Sequence, residues 1–471
     1  MKTPLHLFSL CLLLSACSAT VPPAQNGVQA PDNWHSPSTQ GTALQSAQWW
    51  TTFGSPELDR IIAQARSTSF DLAAAVARVR QAQAGAAIAG GPLLPELKGA
   101  LNASREKLLR GKGYSQLDAT DDNKAVDYFD ATLSASYEVD FWGGRRAAFD
   151  SAVLGVRASE FDRVTVELTL LGSVADTYAQ TLSLRERSRI AALNLANAQA
   201  VLKLVQTRHD AGSATTLELA QQKSLVAAQQ RQLPLVQQQA EGALITLAAL
   251  LGQPVQNLTL ESKDLNQLNW PSIGAGLPSE LLSRRPDIAR AEAQLAAAQA
   301  DVTVARAAML PTVTLSANLG SGASTASDIL RSPFYNLTAG LVAPIFNNGR
   351  LSAERDKASA RQEELLYNYR GAIINGFADV ERALTDIRGI DQQRQWQQEE
   401  LNQAQIAFDI AQNRYQAGAE DLLTVLETQR TLYAAQDLNV QLRLSRVQAS
   451  IGLYKALGGG WTVPTELSSN R

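Results

Sequence analysis

Two periods of apolar residues alternate along this chain. Apolar positions recur three and four apart in Leu195-Ala198-Leu202-Val205 and in Leu401-Ala404-Phe408-Ala411-Tyr415, the seam by which one helix packs on another. A single helix from Arg145 to His209 would run ~95 Å at ~1.5 Å per residue, far beyond a globular helix. Between Pro344 and Pro464 there is no proline to stop a second one. Ala-Gly at 211–212 and 417–418 follows Arg208 and Arg414 closely. It supplies a C-terminal glycine stop, after which Ser213 and Glu420 are expected to open returning helices. The pattern predicts one long helical hairpin in each half, about 146–251 and about 350–457, with tips at Gly212 and Gly418.

The second period is two. Leu97, Gly99, Leu101 and Ala103 alternate with Lys98, Ala100, Asn102 and Ser104, and Phe129 through Val139 alternates with Asp130 through Glu138. Val313 through Leu319 alternates with Thr312 through Asn318, and Tyr335, Leu337, Ala339 and Leu341 with Asn336 and Thr338. These segments predict strands at about 96–106, 128–141, 311–320 and 334–345. Their lengths suit membrane crossing, and Phe129, Tyr137, Phe141, Trp142, Phe334, Tyr335 and Phe346 lie near their ends as a girdle would. Alone, such strands would read as a half-buried sheet on a soluble core. They interrupt helices too long for a compact domain, and that favours a membrane barrel. In hydrocarbon an open sheet edge leaves unpaired backbone groups, each costing several kcal/mol, so the sheet must close. Four strands are too few for a barrel of about eight or more, so closure requires further copies of the chain.

The halves are repeats of one another. Asp71-Leu72 answers Asp287-Ile288, Pro95 answers Pro311, and Phe141-Trp142-Gly143-Gly144-Arg145 answers Phe346-Asn347-Asn348-Gly349-Arg350. Arg208 to Gly212 answers Arg414 to Gly418, and Leu251-Gly252 answers Leu457-Gly458. The offset shrinks between Pro95 and Phe141, so the first half carries the longer loop there. The expected organisation is a signal segment at 1–16, a leader at 17–60, repeats at 61–270 and 271–458, and a tail at 459–471 without fixed structure.

Lys2 precedes an apolar run from Leu5 to Leu14, too short to span a membrane. Leu14-Ser15-Ala16-Cys17 resembles the bacterial lipoprotein box, which makes Cys17 the acylated first residue of the mature chain and an anchor in outer membrane lipid. Cys11 lies within the signal, so no internal disulfide is possible. The leader from Ser18 to Gln45, rich in Pro, Ser, Thr and Gln, reads as an extended tether. A net charge of −3 with 18% charged residues gives neither a basic stripe nor an acidic tail, and nucleic acid is not a partner. Three histidines, His6, His35 and His209, are scattered, and no metal cluster, nucleophile elbow or phosphate loop appears. The chain reads as no enzyme, with no cofactor beyond the covalent lipid.

Leu281-Leu282-Ser283-Arg284-Arg285-Pro286-Asp287-Ile288, followed by Ala291, Glu292, Leu295, Ala298, Ala305 and Pro311, closely resembles the mid-chain signature of the TolC-like outer membrane factors. Trp49-Trp50-Thr51-Thr52-Phe53 with Pro56, Leu58 and Asp59 resembles the family's opening. The likeness covers nearly the whole mature chain and is strongest to the lipoproteins of tripartite efflux pumps. It implies an α+β membrane protein: a homotrimer with a twelve-stranded transmembrane β-barrel, continued by a long α-helical coiled-coil barrel across the periplasm. It further implies a periplasmic adaptor meeting the tips around Arg208, Gly212, Arg414, Tyr415, Gly418, Glu420 and Asp421, and an inner-membrane pump supplying the energy. Aligned on Arg414-Tyr415-x-x-Gly418, the family's gate rings fall on Leu423 and Glu427. The repeat partners of Glu427, Glu420 and Asp421 are Gln221, Ala214 and Thr215, so only the second hairpin is acidic. Drug or other small-molecule efflux is the leading expectation. A protein-secretion channel and a coiled-coil lipoprotein without a pore stand as alternatives.

Overall fold

The computed structural model describes residues 27–36, 42–43, 48–107 and 125–462. Cys17, the segment before it and most of the leader lie outside these residues. Seven helices longer than one turn and four long strands organise the described chain. Ser55 caps α1 (Pro56–Thr68) by accepting from Leu58 N, and Ser69 caps α2 (Phe70–Gly90) in the same way. The leader boundary expected near 60 therefore falls inside α1.

After α2 come β1 (Glu96–Glu106) and β2 (Val126–Val139), then α3 (Gly144–Asp210) and α4 (Thr216–Leu250). The second repeat runs through α5 (Pro286–Ala307), β3 (Thr312–Ala323), β4 (Pro333–Val342), α6 (Arg350–Gln416) and α7 (Leu422–Ala456). The long helices α3 and α6 are each 67 residues, ~100 Å at ~1.5 Å per residue. Each starts behind a glycine in the left-handed region, Gly143 and Gly349. At α3 the Asp140 carboxylate accepts from Arg145 N at 3.0 Å and Arg146 N at 2.7 Å, satisfying two free donors of the first turn. The returning helices open one or two residues from the expected positions. Thr215 rather than Ser213 caps α4, in a capping box with Glu218, and Asp421 rather than Glu420 caps α7.

The strands form one antiparallel sheet in the order β1-β2-β3-β4. Leu97, Ala135, Ala317 and Leu337 fall in register, as do Gly99, Leu133, Leu319 and Tyr335, and these rows share one apolar face. Lys98, Ser134, Asn318 and Asn336 form a row of the opposite, polar face. Phe334 corrects the girdle expectation. It pairs with Gly320, which is in register with Thr132 and Ala100, so it stands on the polar face. Phe141 and Phe346 lie beyond the strands, in the links to α3 and α6, and both are exposed. At the base of the sheet Trp142 Nε1 donates to Pro311 O at 2.6 Å and ties the two repeats together. The helices α2, α3, α5 and α6 join the sheet at this end, and the strand hairpins point the other way. No helix among the described residues is long and apolar enough to cross a membrane.

The main core lies at the waist between sheet and tips. Trp49 stacks on Tyr454 with ring centroids 5.3 Å apart, and Phe53 packs edge-on to both. Complete burial of each such ring contributes about 2–3 kcal/mol. The described leader is docked rather than a free tether. Val28, Ala30 and Trp34 pack on this core, Ser36 N donates to Glu381 Oε2 at 3.1 Å, and Thr42–Ala43 pairs in parallel with Ile273–Gly274. The tail is likewise placed as far as residue 462, with Trp461 edge-on to Phe161 at 5.6 Å.

Arg285, from the mid-chain signature, ties the start of α5 to α6 and to the end of α7 at the waist. Its guanidinium donates to Asp287 Oδ2 at 2.7 Å, Asp379 Oδ2 at 3.0 Å and the Ala456 carbonyl at 3.3 Å. Gly458 lies directly against the Arg284 carbonyl, with φ +84°, so that no side chain fits between them.

Candidate functional site at the hairpin tips

The tips are built by the same local rules twice and then differ in charge. Gly212 and Gly418 take φ of 74° and 77°, which lets the chain turn after α3 and α6. Ser213 N donates to Arg208 O at 2.8 Å and Ala419 N to Arg414 O at 2.9 Å, closing the last helical turns. Below the waist the two hairpins share a separate small core, with Val201 and Val205 of α3 against Phe408, Tyr415, Leu422 and Leu426. Ala198 and Val205 of the first seam are buried as expected, whereas Leu202 is half-buried at the edge and Val201 takes its place.

The two tip arginines do different things. Arg208 reaches across to the second hairpin: its Nη2 donates to the Tyr415 carbonyl at 2.6 Å, and the guanidinium carbon lies 4.3 Å from the Tyr415 ring centroid. It thereby caps the C-terminus of α6 with a positive charge. Arg414 stays in its own tip, 3.3 Å from Glu420 Oε2 and 3.3 Å from Ala419 O. Asp421 Oδ1 accepts from Thr424 N and Thr424 Oγ1, both at 2.9 Å. The backbone donor of Thr424 holds the Asp421 carboxyl below its ordinary range. Tyr415 is pushed up by burial, against the pull of Arg208.

Leu423 and Glu427 are one turn apart on the exposed face of α7, while Leu422, Val425, Leu426 and Gln429 fill the core face. Leu423 is 61% exposed, the reverse of a coiled-coil core leucine. Glu427 makes no ion pair among the described residues; its backbone carbonyl accepts from Thr431 Oγ1 at 3.0 Å. The two side chains therefore share an unpartnered face of the acidic hairpin.

Residues that link the hairpins higher up were not singled out from sequence. Arg187 forks onto Asp437 at 2.6 and 3.1 Å, Arg443 Nη1 donates to Glu186 Oε1 at 2.8 Å, and Tyr433 OH donates to Asn194 O at 3.0 Å. The signal was present as asymmetry between repeats: where Tyr433 and Asp437 stand, the first half has Ala227 and Arg231.

This fold and these tips have relatives. The model of the family described as outer membrane efflux protein matches residues 61–253 and 277–459. The chain is 65% identical over 458 residues to the pyoverdine export outer membrane protein OpmQ of Pseudomonas aeruginosa, covering 97% of each chain. It is 30% identical to the cation efflux system protein CusC of Escherichia coli K12, covering 97% of this chain and all of the relative. Among solved structures, the outer-membrane channel OprN superposes with a TM-score of 0.85 at 27% identity, over 93% of this chain and 99% of that one. The open state of the Neisseria gonorrhoeae MtrE channel superposes with a TM-score of 0.80 at 26% identity, over 94% and 98%. Two matched repeats, four strands and two long hairpins converge on one conclusion: the chain belongs to the outer membrane efflux protein family, as a non-enzymatic TolC-like channel that sits in the outer membrane and reaches into the periplasm.

Proposed function

We propose that the protein is a lipid-anchored homotrimeric duct through which a siderophore or a chemically similar small molecule leaves the cell, passed on by an inner-membrane pump and a periplasmic adaptor. The observation that carries this reading is the four-stranded sheet with one apolar face and two open edges, β1 and β4. Such a sheet is stable in hydrocarbon only when neighbouring chains pair with both edges. Three chains place twelve strands in the ring. The cargo class rests on the relative named for pyoverdine export, at 65% identity. Cys17 carries the lipid, and the tips around Arg208, Gly212, Arg414, Tyr415, Gly418, Glu420 and Asp421 receive the adaptor.

The gate is Leu423 with Glu427. Converging in three copies, the leucines narrow the passage and the carboxylates favour cations over anions. Passage is passive, because the polar face of the strands carries Lys98, Asp130, Glu138 and many Ser, Thr and Asn side chains as a lining without a binding pocket. Deleting the gene and assaying iron chelators in medium and periplasm tests the export reading. Chelator should accumulate in the periplasm and be released again on complementation. An unchanged distribution of chelator would overturn the cargo assignment while leaving the channel itself intact.

A further inference from the structure

On the polar face of the sheet, two aromatic side chains break an otherwise hydrophilic surface. Phe334 of β4 and Tyr128 of β2 both lean over β3 from opposite sides, and β3 makes room with glycine. A Cβ at Gly320 would meet Phe334 Cζ at 2.7 Å and Thr132 Cγ2 at 2.9 Å; one at Gly322 would meet Tyr128 Cζ at 2.7 Å. Gly320 and Gly322 are two residues apart on one strand, so the rings occupy places about 7 Å apart on the same face. Asn102 and Asp130 lie in the row of Gly322, on its β1 side, with Asn102 Nδ2 donating to Asp130 Oδ2 at 3.0 Å. Phe334 and Tyr128 remain 43% and 44% exposed. The helices α2, α3, α5 and α6 join the other end of the sheet, so these rings stand at the outer end of the barrel.

We propose that Phe334 and Tyr128 form an aromatic collar inside the outer mouth of the pore, which narrows the exit and takes planar aromatic solutes against its rings as they pass. The inference rests on the barrel reading, in which the polar face lines the pore. A ring face is electron-rich at its centre and apolar across its width, so it holds flat aromatic groups by offset stacking and hydrophobic contact. The same surface offers a saturated solute of equal size much less. With three chains around one axis, six rings crowd one short section of the lumen, where every other neighbouring position is small or polar.

Planar-bilayer recording with the purified full chain tests this. Wild type is compared with a Phe334→Leu, Tyr128→Leu double variant, each also carrying Leu423→Ala so that the tips do not limit the current. N-acetyltryptophanamide is added on the side of the strand hairpins, with sucrose as the saturated control. The collar predicts that tryptophanamide lowers the wild-type current, that the leucine variant weakens this block about tenfold, and that open conductance rises. Sucrose should affect both alike. Phe334→Leu alone keeps an apolar cover over Gly320 and guards against loss of assembly; it should weaken the block partly. Unchanged block and conductance, with only heat stability of the oligomer reduced, would show that the rings merely brace the two glycines and would overturn the proposal. If wild type never passes current, the barrel reading fails and the collar falls with it.

Discussion

Arg208 of the first hairpin holds the carbonyl of Tyr415 at 2.6 Å and covers its ring, so that the end of α6 is capped by a residue from the other repeat. Its own repeat partner, Arg414, is turned toward Glu420 instead. Arg208→Ala removes this hydrogen bond and ring contact together, worth about 1–3 kcal/mol. The expected outcome is a loosened second tip: higher single-channel conductance and faster proteolysis near Gly418. Arg208→Lys should recover part of the effect, because a point charge replaces a planar fork. Conductance equal to wild type in the alanine variant would show that the clasp does not restrain the tip.

The gate assignment makes a separable prediction. Leu423→Ala should raise the resting conductance severalfold without changing ion preference, whereas Glu427→Gln should weaken cation preference and leave the bore nearly unchanged. Both side chains are exposed on α7 and neither is needed for its core, so a loss of folding is not expected from either. Reversal potentials in a salt gradient distinguish the two effects. Variants that match wild type in both measurements would place the constriction elsewhere.

Asp176 lies beside a cavity of ≈ 640 Å³ between α3, α6 and α7, which Lys455, Asp386, Arg382, Asp379, Asp287 and Arg285 also line. One of its carboxylate oxygens has no hydrogen-bond partner among the described residues. Burial pushes its pKa from 3.8 to about 6, although Lys455 pulls the other way. A carboxyl whose folded pKa is raised binds its proton more tightly when folded, so stability is greatest below the unfolded value and falls as pH rises toward about 6. Asp176→Asn should therefore raise the oligomer's melting temperature at pH 7, with the gain shrinking as pH falls toward 4. A variant whose advantage does not change with pH would show that Asp176 is not the titrating group.

Breaking the fork at the waist should lower the stability of the whole oligomer rather than loosen one tip. Burial alone would raise the Asp287 carboxyl, but the Arg285 fork outweighs it and holds the group below its ordinary range. Arg285→Ala strands Asp287 and frees the Ala456 carbonyl, a change that costs about 2–3 kcal/mol for a partly buried charged fork. Denaturant melts of the purified oligomer should show the loss. Because the pair is formed with Asp287 ionised, the difference between wild type and variant should narrow as the pH is lowered through the acidic range.

The fold was legible in the sequence where one period ran long enough to exclude the other. The uninterrupted seams on α3 and α6 and the clean alternation of β1 and β2 required no tertiary information. The ends of elements were less legible, because Ser213 and Thr215 both cap well and only the capping box with Glu218 decides between them. Phe334 was misread for a similar reason. An aromatic near a strand end suits a lipid girdle, but Phe334 is two residues from Asn336 and shares its polar side of the alternation, as its register with Gly320 bears out. At the candidate site, Glu427 follows from the family resemblance with charge asymmetry between the repeats beside it, and the same comparison of repeats, applied to Tyr433 and Asp437, points to the links between hairpins. Arg208 escaped that comparison, since both repeats carry arginine there and differ only in what it touches.

The order β1-β2-β3-β4 carries a consequence for symmetry. The central pair β2 and β3 joins the first repeat to the second within one chain. The free edges are β1 of the first repeat and β4 of the second, so a neighbour in the ring must again join second repeat to first. The seam between subunits is thereby a copy of the seam inside each subunit, and a trimer has nearly six-fold geometry. A single-repeat ancestor could close the same ring with six copies, but every change at its tips would then appear six times. Fusion into one chain frees alternate tips to diverge, and Glu420, Asp421 and Glu427, where the first hairpin has Ala214, Thr215 and Gln221, are that freedom used: a six-fold wall with three-fold ornament.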